Sequence, residues 1–276
     1  MTFTDSAGCP PGHTGHTSDM IDTVEQLRVE LARSQQQVAD LTAAQEEFLH
    51  AVSHDLRAPL RHVTSYGTLV REVLGDLAPE VLQTAEVQEA LDFLATMDQS
   101  ARRMGLMLDG LLALVHAIRA PLRPEPVSLV GAVNEVRAAL ASAEAGRSVQ
   151  WQVAHDLPVL LADPVALREL LAQLLGNAIK FTGHTAQARV AVLPDAAPPG
   201  AAAFIVQDNG AGFDAARAGT LFGVFQRLHR ETEFEGVGTG LALCRSIAER
   251  HGGTVTATAV LAGGCTVRVQ WPVGPC

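Results

Sequence analysis

No run of clustered lysine and arginine occurs in this sequence: 20 basic residues stand against 30 acidic ones in 276, a formal net charge of −10. Coating a nucleic acid needs a cationic stripe laid against phosphates, so a nucleic-acid partner is excluded from the reading. Long apolar runs are missing too. A bilayer span takes about 20 apolar residues, and the longest run here, Leu106 to Ile118, is shorter and carries Asp109 and His116. The basic-then-apolar opening of a secretory signal is absent, because Asp5 and a Gly-Pro-rich stretch occupy its place. These absences predict a cytoplasmic protein without membrane insertion. Cysteine is scarce, and Cys9, Cys244, Cys265 and Cys276 have no paired spacing, which argues against a disulfide framework and against a zinc knuckle. Cys9 with His13 and His16 lies in an opening rich in Gly, Pro, Ser and Thr, and reads as part of a polar tail over residues 1–18 rather than as a metal site.

What is present is a folded protein. A hydrophobic fraction of 47% and a mean hydropathy of +0.17 are incompatible with disorder, which needs low hydrophobicity and high net charge. The length fits one large domain or two modest ones, and the change of texture along the chain favours two.

From Val24, apolar residues recur at steps of three and four through Leu27, Leu31, Val38, Leu41, Phe48 and Val52, with Ser34 and Gln45 filling two seam positions. That is a coiled-coil pattern, assigned to residues 19–47 as a signalling helix. Near Phe48 the register slips by one, and the stripe continues through Leu49, Val52, Leu56, Leu60, Val63, Val70 and Leu74. After a turn at Gly75 to Pro79 a second helix carries Leu94, Met97, Ala101, Met104, Leu108, Leu111, Val115 and Ile118. Residues 48–120 therefore predict an antiparallel helical hairpin. Its seam stays open in a single copy, and two copies forming a four-helix bundle would cover it, which predicts a homodimer.

Pro121, Pro124 and Pro126 end the helix and give a stiff linker over residues 121–126. From 127 to 276 helix-like segments (Leu129 to Ala143, Pro164 to Lys180) alternate with strand-like ones (Ser148 to Val153, Ala188 to Leu193, Ala203 to Gln207, Cys265 to Trp271). The fold class is α+β, a helical hairpin followed by an α/β sandwich.

Four stretches carry chemistry. His54 and Asp55 lie in Phe48-Leu-His-Ala-Val-Ser-His54-Asp55-Leu-Arg-Ala-Pro59. At 100° per residue, His54 falls nearly opposite the apolar stripe, so its imidazole faces solvent. A neutral imidazole is a nucleophile near neutral pH, and an adjacent carboxylate can fix its tautomer. Pro59 removes a helix hydrogen bond and bends the axis close to His54. An ordinary solvated helix face uses the same residues, and His50, His62 and His116 are read that way. Asn177 and Lys180 stand three apart on one face of a helix, so an amide oxygen and an ammonium converge, a pairing suited to Mg²⁺ and phosphate. An amphipathic helix alone would look the same. Asp208-Asn-Gly210-Ala-Gly212 follows the apolar strand Phe204-Ile-Val206, so a carboxylate stands at a strand end beside glycines that let a flat ligand approach. Gly236-Val-Gly238-Thr-Gly240 opens the helix Leu241 to Arg250, where backbone N–H groups and the helix dipole can hold phosphate. Plain turns also use such glycines.

In order and spacing these stretches resemble the two-component sensor histidine kinases, over roughly Gln45 to Trp271. The segment around His54 is similar to the family's phosphoacceptor box, Asn177 to its N box, and Leu221-Phe222-Gly-Val-Phe225 to its F box. Asp208 to Gly212 and Gly236 to Gly240 are similar to its two glycine boxes. The resemblance implies a dimerisation and phosphotransfer domain joined to a gyrase-like (Bergerat) ATP-binding domain, with a mobile lid between the F box and the second glycine box. It implies that Asp208 binds the adenine amino group, Phe181 packs on the base, Asn177 holds Mg²⁺ and Lys180 touches phosphate. His54 would take the γ-phosphoryl group of ATP and pass it to an aspartate of a response-regulator receiver domain. Three departures bear on this. Gln173 stands where the family often has Asn and ATP-hydrolysing relatives have a basic Glu, which suits transfer over hydrolysis. Ala58 replaces the Thr or Asn that orients water in dephosphorylation, which predicts weak phosphatase activity. No recognisable sensor domain precedes the coiled coil, so input is expected through the N-terminal helix, an upstream sensor protein or a further domain. Two other readings keep part of the fold: a dimeric ATP-binding scaffold without chemistry, and a protein-serine kinase of the anti-sigma type, which would not need His54 or the hairpin.

Overall fold

The structure, a computed structural model, describes residues 15–144, 146–230 and 233–273; for 15–24, 39, 42, 46 and 143 only the backbone is described. The expected polar tail lies outside the described residues up to 14, and from Gly15 the chain is helical. Contacts divide the chain into two units, 1–52 and 53–276.

The first unit is the opening of helix α1 (Gly15–Gly75), whose backbone shows no break at the expected 18/19 or 47/48 boundaries. Its stripe residues Leu27, Leu31, Val38, Leu41 and Phe48 are all exposed.

The second unit begins with the rest of α1, which runs through Pro59. The short helix α2 (Pro79–Leu82) follows, starting on a proline whose missing N–H would have had no partner there. Helix α3 (Ala85–Arg119) returns. An ion pair joins the two long helices: Arg57 Nη2 stands 2.6 Å from Asp109 Oδ1. Strand β1 (Glu125–Ser128) takes in the last two residues of the expected linker and pairs antiparallel with β3 (Val159–Ala162). Pro126 is accommodated because this sheet has only two strands, so one side of each stays free of ladder bonds.

The main sheet has the order β2-β4-β5-β7-β6, built from β2 (Gln150–Val153), β4 (Arg189–Asp195), β5 (Ala201–Asp208), β6 (Thr254–Val260) and β7 (Gly264–Pro272). β2 and β4 run parallel, and every other pair is antiparallel. One face is apolar by alternation, with Val190, Val192, Phe204, Val206, Val267, Val269 and Trp271 buried. Helices α4 (Leu129–Ala139), α5 (Pro164–Phe181) and α6 (Gly240–Arg250) supply the facing side chains of one core. Trp271 closes it, donating from its indole to Leu161 O at 3.1 Å and so tying the small sheet to the large one.

β6 was not among the expected strands. Its Thr-Val-Thr-Ala-Thr-Ala sequence alternates weakly, because alanine adds little to the pattern, and its strand state comes from pairing with β7. Helix α3 also departs from its single expected seam. Leu114, off that seam, is buried in the core of the α/β domain, and Arg250 on α6 donates to Ala117 O and Ala120 O at the end of α3. A Cβ placed on Gly110 would meet Thr239 Oγ1 at 2.4 Å, so α3 seats backbone-close against the start of α6.

Candidate active site

Helix α5 is held at both ends, and this fixes the side chains on its pocket face. Asp163 caps its start, accepting from Val165 N at 2.9 Å and Ala166 N at 3.1 Å. At its end Arg147 donates to Ile179 O (3.2 Å) and Thr182 O (3.1 Å), and the buried Thr182 hydroxyl donates to Ala178 O at 2.8 Å. Gln173, Asn177, Lys180 and Phe181 are thereby presented to one pocket of about 350 Å³. Its other walls are the ends of β5 and β7, Gly212, Phe213 and Leu221, the segments 226–229 and 234–241, and Leu106 of α3.

Asp208, at the end of β5, is paired through strands on both sides and only 8% exposed. Burial pushes its carboxyl group up to about 6, against the opposing effect of backbone hydrogen bonds from Gly210 and Cys265. The bond from Gly210 N to Oδ1 is 2.8 Å long. Gly210 is required by close approach: a Cβ there would stand 2.4 Å from Phe181 O. Cys265, beside Asp208 in the ladder, lines the pocket, but burial pushes its thiol up to about 12, so it is no nucleophile at neutral pH.

Lys180 is held below the usual lysine range by burial first and by the Arg227 charge second, with Glu235 acting the other way. Its ammonium lies 4.4 Å from the Phe181 ring centroid. A Cβ on Gly236 would meet only this ammonium, at 3.4 Å. An anion placed there would favour the charged lysine, which is the behaviour expected of a phosphate subsite.

Several pocket residues carry no signal that motif spacing could have caught. Gln226, Arg227, His229 and Phe234 sit in the loop before α6, with Phe234 5.1 Å and His229 5.4 Å from the Phe181 ring. Leu106 could have been found: Leu106, Gly110, Leu114 and Ala117 recur at four, four and three, a second stripe on α3.

His54 and Asp55 lie on α1, with 79% and 81% of their side chains exposed and His54 Nδ1 3.1 Å from Asp55 Oδ1. A carboxylate can only accept, so Nδ1–H donates and the Nε2 lone pair is left outward.

Residues 162–275 match the family model described as histidine kinase-, DNA gyrase B- and HSP90-like ATPase. Cyanobacterial phytochrome B of Nostoc sp. is 28% identical over 89% of this chain and 31% of its own length. The chain is a relative of the sensor histidine kinases and carries their type of ATPase domain. The adaptive-response sensory kinase SasA of Synechococcus elongatus is 29% identical over 87% of this chain and 62% of its own length. Full-length ShkA, solved in complex with AMPPNP, superposes with a TM-score of 0.55 at 26% identity, over 82% of this chain and 45% of that one. The chain spans about a third of the length of the first phytochromes it matches. The helical region followed by an α/β ATPase domain is the architecture expected from the sequence. No helix among the described residues is long and apolar enough to cross a membrane.

Proposed function

We propose that this chain is an ATP-dependent protein-histidine kinase that phosphorylates its own His54 and passes the phosphoryl group to an aspartate of a response-regulator receiver domain, acting as a cytoplasmic homodimer. The observation that carries the reading is a pocket lined by both a buried carboxylate, Asp208, and a half-buried ammonium, Lys180, on the same chain as an exposed imidazole whose Nδ1 is already engaged.

The pocket residues fit ATP. The Asp208 carboxylate would accept from the adenine amino group, with Val206 and Val267 as apolar surroundings. Lys180 and the backbone of Gly236, Gly238 and Gly240 would take the phosphates. Among the described residues no three His, Cys, Asp or Glu side chains converge as a cation cage. Asn177 would therefore share Mg²⁺ with phosphate oxygens and water, a set this ion favours. Bound there, Mg²⁺ would neutralise charge developing on the phosphates. Positioning and charge neutralisation supply most of the rate in such transfers. His54 Nε2 forms the new N–P bond as the bond from the γ-phosphorus to the ADP oxygen breaks, and Asp55 holds the Nδ1 proton and balances the imidazolium charge. In the second step the N–P bond breaks as a carboxylate oxygen of the receiver domain takes the phosphoryl group. An upstream sensor protein would supply the input through α1.

Incubation with γ-labelled ATP and Mg²⁺ tests this. Label that is acid-labile and alkali-stable on the wild type, and absent from His54→Gln, is expected. Label on serine, or none on either protein, overturns the reading. Asn177→Asp should also lose the label, and with Ala58 four residues after His54 a purified phospho-receiver should keep most of its label when this chain is added.

A further inference from the structure

Among the described residues, the His229 side chain joins the loop before α6 to the first glycine loop. His229 Nε2 lies 2.8 Å from Gly212 O. A carbonyl can only accept, so the imidazole donates from Nε2. The acceptor belongs to a backbone packed closely against its neighbours. Gly212 has φ +61°, and a Cβ there would stand 2.0 Å from Val260 O and 2.9 Å from Gly264 O, so it is wedged against the turn between β6 and β7. The imidazole is also packed 5.1 Å from the Phe234 ring and 5.4 Å from Phe181. Within the described part of the loop, 226–230 and 233–238, Arg227 Nη2 donates to Phe234 O at 2.7 Å. At its root Gly238 has φ +80°, and a Cβ there would meet Gln226 O at 2.4 Å.

The described part of this loop, 226–230 and 233–238, is thus tied to itself, packs through Phe234 on Phe181 and His184, and is hydrogen-bonded to the first glycine loop through His229. We propose that His229 is a positioning residue that pins this loop to the Gly212 carbonyl, so that the Gly236–Gly240 backbone is ordered before a nucleoside triphosphate arrives. The inference rests on reading the pocket as a nucleotide site. Its consequence is selective. Ordering the Gly236–Gly240 backbone, which meets the phosphates in that reading, lowers the entropy lost when a triphosphate binds more than that lost when a nucleoside binds.

Calorimetric titration of Mg-ATP and of adenosine into the full chain tests this with wild type, His229→Ala and His229→Gln. Losing one net hydrogen bond corresponds to about a fivefold weaker Mg-ATP affinity in His229→Ala. Adenosine should stay within about twofold. Glutamine carries an amide N–H that can reach the same carbonyl, so His229→Gln should recover most of the loss. Unchanged Mg-ATP affinity, equal weakening of both ligands, or a glutamine variant no better than alanine overturns the proposal. A second readout needs no nucleotide: trypsin should cut after Arg230 faster in His229→Ala than in wild type or His229→Gln, and equal rates overturn the pin. Wild type that binds neither ligand overturns the nucleotide reading, while the trypsin comparison still decides whether His229 fastens the loop.

Discussion

Asp208 combines burial with a proposed role that needs charge. Its carboxyl is raised to about 6 by burial, and accepting from an amino group favours the ionised form, so proton and nucleotide compete for the same side chain. In that reading, affinity for ATP is expected to be lost as pH falls through about 6. Titrations from about pH 8 down to about pH 5 should show this decline, and Asp208→Asn should bind weakly at all pH values without it. A decline that persists in the asparagine variant would assign the pH dependence elsewhere. Two glycines make opposite predictions. Gly210→Ala drives a Cβ to 2.4 Å from a backbone oxygen and is expected to destabilise by about 1–3 kcal/mol, with loss of nucleotide affinity. Gly176→Ala, inside α5 with nothing within 4 Å of its Cβ, is expected to stabilise by about 0.5–1 kcal/mol. Urea unfolding of both variants measures the contrast. At this scale Asn177, Lys180 and Asp208 were legible because helical spacing and a strand end place them. His229 and Arg227 were not, since loop residues follow no period and only the folded chain brings them to Phe181 and Gly212.

Helix α5 is the element on which the pocket depends, and its start is readable in Asp163-Pro164, a cap followed by a proline at the first turn. Its end is not readable, because it is completed from another segment by Arg147. Arg147→Ala removes two hydrogen bonds to carbonyls beside Lys180 and Phe181. A loss of about 1–3 kcal/mol is expected, with weaker ATP binding. Arg147→Lys should restore only part, because a single ammonium cannot span both carbonyls as a guanidinium does. Thermal unfolding with and without nucleotide checks both. Strands β4, β5 and β7 were legible from apolar alternation, whereas β1, β3 and β6 are short or weakly patterned and exist because a neighbouring strand pairs with them.

For the whole molecule, the apolar surface left open on the long helices is the main fact. Val63, Val70, Met97, Met104 and Ile118 are between 38% and 48% exposed in the second unit, leaving large apolar side chains open along both long helices. A second copy would cover it. Light scattering or sedimentation should give twice the 29.1 kDa chain mass, and Met97→Asp should shift the mass toward one chain. A wild-type monomer at tens of micromolar would remove the homodimer from the reading. The open seam was legible from its period, but the second stripe of α3, which seats against α6, was not picked out, because one helix carrying two apolar faces blurs both patterns.

The sequence by itself determined the two kinds of texture, the outward-facing His54 and the order of the glycines proposed to hold phosphate, because helical period, strand alternation and glycine's freedom are local properties of the chain. Only the tertiary structure decided that Asp208 is buried enough to titrate near 6, that Lys180 is crowded by Arg227, and that His229 meets Gly212. Burial, electrostatic neighbours and loop-to-loop hydrogen bonds depend on segments far apart in the chain, and no local pattern records them.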